Sequence, residues 1–249
     1  MNSNTGVLLG RLMRNIMRSP DTIITVAITP IMMMLLFVYV FGGAIKTGTD
    51  NYVNYLLPGI LLMAIASGVA YTSVRLFNDV KSGLMARFYT MPIKRSAVLW
   101  AHVLTSLVSN ALTVVLVILV ALLMGFRTSA HIVEWLAVAG ILGLFTLALT
   151  WLAIIPGLTA VSMEGATAYS YPLVFLPFIS SAFVPTETMP TIVRVFAENQ
   201  PVTSIVNSIR ALLYEGYVGN DIWIALVWCV GITILAYVFA SKEFKRKLG

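Results

Sequence analysis

Residues 101–124 read AHVLTSLVSNALTVVLVILVALLM, and this run contains no Asp, Glu, Lys or Arg. A helix needs about 20 mainly apolar residues to cross the hydrocarbon core of a bilayer. Other stretches of the chain meet the same criterion. The sequence therefore predicts an all-α integral membrane protein with six transmembrane helices, at Thr22–Gly42, Tyr55–Phe77, Ala101–Met124, Trp135–Leu158, Ala166–Pro185 and Asp221–Ala240.

The overall composition agrees with this class. Of the 249 residues, 59% are hydrophobic and only 10% are charged, whereas a soluble domain carries about 25% charged residues. The net charge of +6 would suit nucleic acid in a soluble protein, but in such an apolar chain it indicates cytosolic anchoring of spans. Cys229 is the only cysteine and lies in an apolar run, so we expect a buried, reduced thiol and no disulfide within the chain.

The cations predict the orientation of the spans. If the N-terminus is cytosolic, only four of the 16 Lys and Arg residues lie outside: Lys46, Arg127, Arg194 and Arg210. Because cytosolic loops of membrane proteins are enriched in Lys and Arg, this bias predicts that both termini are cytosolic.

An amphipathic segment at residues 5–19 precedes the first span. Arg11, Arg14 and Arg18 recur at spacings of three and four, which places them on one helical face opposite Leu12 and its apolar neighbours. We expect a helix lying on the inner leaflet, with its arginines toward lipid headgroups. The alternative is a simple positive stop signal.

Residues 186–220, between the fifth and sixth spans, predict a pair of short re-entrant or surface helices. Pro190 opens the first and Asn199-Gln200-Pro201 ends it. Each piece is about half a bilayer long. The apolar positions at helical spacing are Ile192, Val193, Val195 and Phe196 in the first helix, and Val202, Ile205, Val206, Ile209, Leu212 and Leu213 in the second.

Proline and small residues mark individual spans. Pro172, Pro177 and Pro185 predict that the fifth span is short and irregular, while Pro30 and Pro156 are expected to kink their helices without breaking them. Two pairs of small residues four apart, Ala64/Gly68 and Ala139/Gly143, predict close helix packing.

Several function classes lose support from what the sequence lacks. No lysine follows a glycine, so a Walker-type phosphate loop is absent. All carboxylates lie at span boundaries or in loops, which argues against an ion-driven carrier that needs a mid-span relay. Neither a metal cluster nor a nucleophile with a spaced base is evident. We therefore expect no catalytic, cofactor-binding or metal site in this chain.

A cationic elbow, residues 79–98, joins the second and third spans. Its sequence, DVKSGLMARFYTMPIKRSAV, predicts a short amphipathic helix with Leu84 and Phe88 on one side and with Pro92 ending it. Such a helix can insert an apolar ridge into the groove of another protein. A loop that merely sets topology fits the residues equally well.

Four stretches in order resemble type-2 ABC exporter permeases of the daunorubicin-resistance-like branch. They are RSPDTIITVAITPIMMMLLFVYVFGGAI, YVNYLLPGILLM, DVKSGLMARFYTMPIKRSAVLWAH and FVPTETMPTIVRVFAENQPVTSIVNSIRALL. The third is similar to the family's cytosolic Asp-x-x-x-Gly-x-x-x-Arg-x-x-x-x-Pro-x-x-Arg motif, which Asp79, Gly83, Arg87, Pro92 and Arg95 satisfy. At 198–201 the chain has Glu-Asn-Gln-Pro where relatives more often have Asn-Pro.

The resemblance implies one permease domain, residues 1–249, in a bacterial or archaeal cytoplasmic membrane. Two permease subunits, identical or sister chains, would form the path for an amphiphilic drug or antibiotic, and two ATPase subunits would carry ATP and Mg. It assigns the ATPase contact to the N-terminal helix and to Asp79, Lys81, Gly83, Leu84, Arg87, Phe88, Pro92 and Arg95. It assigns an outer gate to Pro185, Pro190, Phe196, Pro201 and Arg210.

Other functions remain open at this point. A related permease would export a lipid or lipid-linked glycan. A secondary carrier, an intramembrane enzyme and a passive channel-like protein are more distant alternatives, of which the first requires a mid-span carboxylate and the second a nucleophile–base pair.

Overall fold

The computed structural model describes residues 10, 12, 20–42, 52–83, 95–215 and 219–246. Within these residues all regular structure is helical, which confirms the predicted all-α class. The helices are α1 (Pro20–Leu36), α2 (Tyr52–Lys81), α3 (Arg95–Leu123), α4 (Ile132–Thr159), α5 (Met163–Ala168), α6 (Ser170–Phe175), α7 (Thr191–Asn199), α8 (Pro201–Arg210) and α9 (Asp221–Arg246).

Shorter helical turns extend or connect these helices. A π-helical turn, Phe37–Phe41, continues α1, and another, Ala211–Glu215, continues α8. Two 3₁₀ turns, Leu176–Ile179 and Thr186–Thr188, lie between α6 and α7.

Among the described residues, five helices are long and apolar enough to cross a membrane: α1 with its π turn, α2, α3, α4 and α9. The fifth predicted span, Ala166–Pro185, is interrupted instead, since α5 ends at Ala168 and α6 gives way to a 3₁₀ turn after Phe175. Pro172 and Pro177 lie within these pieces, and each lacks the backbone N–H that a continuous helix requires. The predicted irregularity is confirmed, while the count of six spans remains a prediction.

The centre of the bundle is α2, which contacts α1, α3, α4, α5, α6 and α8. In the most apolar stretch of α2, 83% of the residues are buried inside the bundle, whereas in that of α9 only 17% are. Both helices are apolar, so hydropathy does not separate them. The exposed apolar side chains of α9, such as Val227 and Leu235, face the surroundings of the bundle, as expected where lipid is the solvent.

The structure shows how the predicted small-residue pairs and helix prolines are packed. A Cβ at Gly68 would lie 2.2 Å from Oδ1 of Asn110, so any larger residue here would require the buried Asn110 side chain or α3 itself to move. A Cβ at Gly143 would meet nothing within 4 Å, so Gly143 makes no comparably close contact with the described residues. Pro30 and Pro156 lie inside helices that they do not break, as predicted, whereas the predicted kinks remain a prediction.

The bundle has two ends, and each has apolar core residues of its own. We call the end where α2 finishes and α3 begins the elbow end, and the opposite end, where α1 finishes and α2 begins, the clasp end. The elbow end has its own apolar core, which includes Leu76, Val98, Trp151 and Phe244. The buried free thiol of Cys229 belongs to the larger core toward the clasp end, as predicted.

Candidate functional site: the elbow end and the clasp end

The elbow begins where α2 ends in a capped turn. The amide of Ser82 donates to the carbonyl of Asn78 at 2.9 Å, and the amide of Gly83 donates to that of Val80 at 3.3 Å. Gly83 has φ +70°, the left-handed conformation that favours glycine at a helix C-terminus. This explains why the motif has glycine here: it turns the chain out of α2.

The remaining residues assigned to ATPase contact lie on both sides of this turn. Asp79 and Lys81 are in the last turn of α2, and Arg95 is the first residue of α3. Leu84, Arg87, Phe88 and Pro92 lie outside the described residues, as do Arg11, Arg14 and Arg18 of the N-terminal segment. From that segment Leu12 is described, and it is buried in the core of the elbow end.

Asp79 contacts a residue that the sequence did not single out for function. Its Oδ2 lies 3.3 Å from Nε2 of His102 on α3. The His102 side chain is 3% exposed and that of Asp79 19% exposed. The pair therefore joins the two helices that flank the elbow. A separation of 23 positions along the chain gives no periodic signal, so sequence patterns alone did not reveal it.

Two exposed charges lie near this pair. Nζ of Lys81 is 5.3 Å from the centroid of the Phe77 ring, a cation–π arrangement within the last turn of α2. Glu164, at the start of α5, has its carboxyl pKa lowered, chiefly by hydrogen bonds from its own backbone amide and from Ser162 and in smaller part by the charge of Lys81. The described surface of the elbow end thus carries charges of both signs.

The clasp end is organised around Arg210, which we predicted as a gate residue. Its Nη2 donates to the backbone carbonyls of Ser181 at 2.9 Å and Tyr55 at 3.1 Å. Its Nη1 donates to Oδ1 of Asn207 at 3.3 Å, and the same oxygen accepts a hydrogen bond from Ser181 Oγ at 2.7 Å. One guanidinium therefore links α8, the start of α2 and the loop after α6, and we call this set the clasp.

Further contacts at the clasp end connect the same elements. Tyr52 Oη donates to the carbonyl of Phe183 at 3.0 Å. The Phe183 ring stacks on Phe178 at 4.6 Å between centroids and lies 4.8 Å from Phe37 at the end of α1. Thr128 Oγ1, before α4, donates to the carbonyl of Leu213 at 2.6 Å. The loops at this end are thereby held to the first turn of α2.

The other predicted gate residues lie in or just before the neighbouring helical segments and take no part in the hydrogen bonds of the clasp. Pro190 immediately precedes α7, Pro201 is the first residue of α8, and Pro185 precedes a 3₁₀ turn. Phe196, on α7, is 52% exposed. Two short helices are thus present at the predicted positions, whereas their re-entry into the membrane and a gating role remain predictions.

The two short helices bury their apolar faces very differently. Ile205, Val206 and Ile209 of α8 are fully buried, and this helix packs against α9, α2 and α4. In α7, by contrast, Ile192 is 87% exposed and Val195 57% exposed. Together with Leu176 and Trp228, the apolar side of α7 lines an open groove of about 580 Å³.

A small polar layer lies inside the helix contacts between the two ends. Ser106 Oγ and Thr150 Oγ1 are 2.9 Å apart and link α3 to α4. Asn110 Nδ2 donates to the carbonyl and to Oγ of Ser106, at 2.9 and 3.3 Å. Asn110 also lines a cavity of about 280 Å³ between α3 and α4 whose other lining residues are almost all apolar. Sequence reasoning looked for carboxylates in the spans and passed over these neutral groups.

The two histidines lie at opposite ends: His102 is at the elbow end, and His131 precedes α4 at the clasp end. Within the described ranges, no three His, Cys, Asp or Glu side chains lie close enough together to hold a metal ion.

The chain is similar in sequence to known proteins over most of its length. The sequence model of the family described as "ABC-2 type transporter" matches residues 3–214. A daunorubicin resistance ABC transporter permease protein of Streptomyces coeruleorubidus is 29% identical over 242 residues, which cover 95% of this chain and 83% of the relative. A "probable doxorubicin resistance ABC transporter permease protein" of Mycobacterium tuberculosis is 24% identical over 95% of this chain and 86% of its own length.

Proposed function

The chain belongs to the ABC-2 type transporter family, and from that premise we propose that it is the transmembrane subunit of an ATP-driven exporter for an amphiphilic drug or antibiotic-like compound. The observation that carries this proposal is the match to a daunorubicin resistance permease across 95% of the chain. Membership of the family implies that an ABC ATPase subunit associates with this multi-pass membrane protein.

In our proposal the elbow end faces the cytosol, as the excess of cations on that side supports. Two ATPase copies bind there, and they hold ATP and Mg, so this chain itself is a non-catalytic subunit. The elbow, including Arg87 and Phe88, and the N-terminal segment make the contact. Both termini are then cytosolic, and the membrane is the bacterial or archaeal cytoplasmic membrane.

The clasp end is then the outer gate. The clasp fixes the loop after α6 and the end of α8 to the first turn of α2, so opening a path at this end requires that the contacts of Arg210 be rearranged. A pair of permease copies, most simply a homodimer, forms the path between them. Lipid covers the exposed apolar faces of α1, α3 and α9.

An amphiphile is the substrate class that this chain suits. The described spans are apolar, and their buried polar groups away from the ends are mainly neutral hydroxyls and amides such as those of Ser106 and Asn110. Neutral hydrogen-bonding groups in an apolar wall favour a molecule that is largely apolar with a few polar substituents, and they offer little to a small ion.

The test is reconstitution with the partner ATPase in proteoliposomes and fluorescence measurement of daunorubicin movement. We expect transport that requires ATP and stops when the P-loop lysine of the ATPase is replaced. The double variant Arg87→Ala/Phe88→Ala should lose co-purification with the ATPase, whereas Lys245→Ala, an exposed cation of α9 at the same end, should retain it. Transport by the chain alone, driven by a proton or sodium gradient, would overturn the proposal.

A further inference from the structure

We propose that the contact between His102 and Asp79 is a tie that holds the end of α2 to the start of α3. We call these two segments the stems of the elbow. A movement of the elbow is then passed to α2 and α3 as one unit. The part of this inference that concerns movement rests on the proposed function. The tie itself rests on geometry alone. In this view His102 is a positioning residue, and Asp79 acts inside the permease rather than at its surface.

The location of the pair carries the argument. Asp79 lies two residues before the end of α2, and His102 lies two turns into α3. The contact of 3.3 Å between Nε2 and Oδ2 therefore links these two helices close to the point where the chain leaves for the elbow. A displacement of the elbow acts first on these two stems.

The surroundings strengthen the pair. His102 is 3% exposed, and its neighbours on α3, Leu99 and Val103, are buried in the apolar core of the elbow end. A polar contact with a carboxylate is stronger where water is excluded. Arg75, one turn before Asp79 on the same face of α2, donates to Thr72 Oγ1 at 3.2 Å and lies close enough to Asp79 for electrostatic attraction.

Packing alone does not account for a histidine at this position. An apolar side chain of similar size would fill the same space without a polar atom that needs a partner. Removal of Asp79 would leave the His102 imidazole, which is 3% exposed, without this partner, and an unpaired buried polar group is the costly case. The pair therefore specifies the relative position of the two stems, which apolar contacts would define less sharply.

A distance measurement on the permease alone tests the tie. Nitroxide labels at Ser82 and Ser96, in a Cys229→Ala background in nanodiscs, report the separation of the stems by pulsed electron resonance. We expect a narrow distribution for the parent, a broadened one for His102→Ala and Asp79→Ala, and a narrow one again for His102→Gln, because Gln restores an N–H donor. Leu99→Ala removes apolar volume from the same core and should leave the distribution narrow.

Transport with the partner ATPase tests the consequence. His102→Ala should keep ATPase binding and ATP hydrolysis but lower the substrate moved per ATP by about tenfold, a factor typical of coupling between two sites. His102→Gln should restore this ratio. An unchanged distance distribution in His102→Ala, or equal broadening in Leu99→Ala, would overturn the tie. An unchanged ratio in His102→Ala would overturn its role in coupling. If the parent showed no ATP-dependent transport, the proposed function would fail, and the distance measurement would still decide the tie.

Discussion

Arg210 and Tyr55 are joined in two ways: the guanidinium carbon lies 3.8 Å from the centroid of the Tyr55 ring, and Nη2 donates to the Tyr55 carbonyl at 3.1 Å. Ser181 supplies a second carbonyl to the same nitrogen at 2.9 Å. The planar guanidinium suits this arrangement because it stacks on the ring with its face and donates hydrogen bonds from its edge. The residue pair thus fixes the start of α2 to the end of α8.

Replacement of Arg210 by Met should lower the free energy of unfolding by about 2 kcal/mol, because a partly buried cation–π contact and hydrogen bonds to two carbonyls are lost together. Lysine should restore only part of this, since it lacks the planar fork. Thermal unfolding in detergent measures the effect. Arg194→Ala, at an exposed cation paired with Glu198, is the control and should change stability very little.

Changes at Tyr55 separate the ring contact from the backbone contact. Tyr55→Phe keeps an aromatic face for Arg210 and should unfold close to the parent temperature, whereas Tyr55→Leu should lower it measurably. Equal unfolding temperatures for the Phe and Leu variants would show that the ring contributes nothing to the clasp.

Gly68→Ala should lower the free energy of unfolding by about 1–3 kcal/mol, because the new methyl group would lie 2.2 Å from Asn110 Oδ1 and would displace the buried Asn110 side chain from its hydrogen bonds with Ser106, or α3 with it. Gly143→Ala is the matched control. Its Cβ meets nothing within 4 Å, and alanine favours helix over glycine, so its stability should equal or exceed that of the parent. If Gly143→Ala were destabilised and formed no dimer, the result would show instead that Gly143 contacts a second copy of the chain.

The clash that Gly68→Ala creates should be relieved when the Asn110 side chain is shortened to alanine. Asn110→Ala alone loses the hydrogen bonds to Ser106 and should be modestly destabilised. Combined with Gly68→Ala, it should cost less than the sum of the two single changes, because the atom that the new methyl group meets is gone. Additive losses in unfolding free energy would contradict direct contact between these two positions.

The Arg194–Glu198 pair predicts a pH effect confined to α7. The Nε of Arg194, 2.7 Å from Glu198 Oε1, lowers the pKa of that carboxyl. Since the pKa is lower in the folded helix than in the unfolded chain, the pair stabilises α7 above the ordinary pKa of about 4.3, and this contribution is lost as the pH falls through the lower value. Hydrogen exchange of residues 191–199, corrected for its intrinsic pH dependence, should show reduced protection in acid, and Glu198→Gln should remove most of that change.

Most of the helical framework could be predicted because it depends on chain length and apolarity alone. The runs at Tyr55–Phe77 and Trp135–Leu158 are found within α2 and α4, and prolines correctly indicated the break near Pro172 and the start of α8 at Pro201. The boundaries were less accurate: α2 extends to Tyr52 and Lys81, past the predicted ends, because polar residues at a span boundary continue the helix into the headgroup region at little cost.

Burial was the property that patterns could not supply. The apolar faces of α7 and α8 have similar spacing, yet Ile192 is 87% exposed while Ile205 is fully buried. Periodicity reports that a helix has an apolar face but not whether lipid, solvent or another helix covers it. Likewise, the pairs Ala64/Gly68 and Ala139/Gly143 look alike in sequence, and only Gly68 faces a side chain that would clash with a methyl group.

The sequence by itself determined that this chain is a helical membrane protein, where its helices lie and which end carries the cations, because bilayer thickness and the cost of burying charge act on short stretches independently. Only the tertiary structure decided that α2 is the centre, that Arg210 closes the clasp and that His102 meets Asp79. Those relationships depend on contacts between residues far apart in the chain, which no local pattern of apolarity encodes.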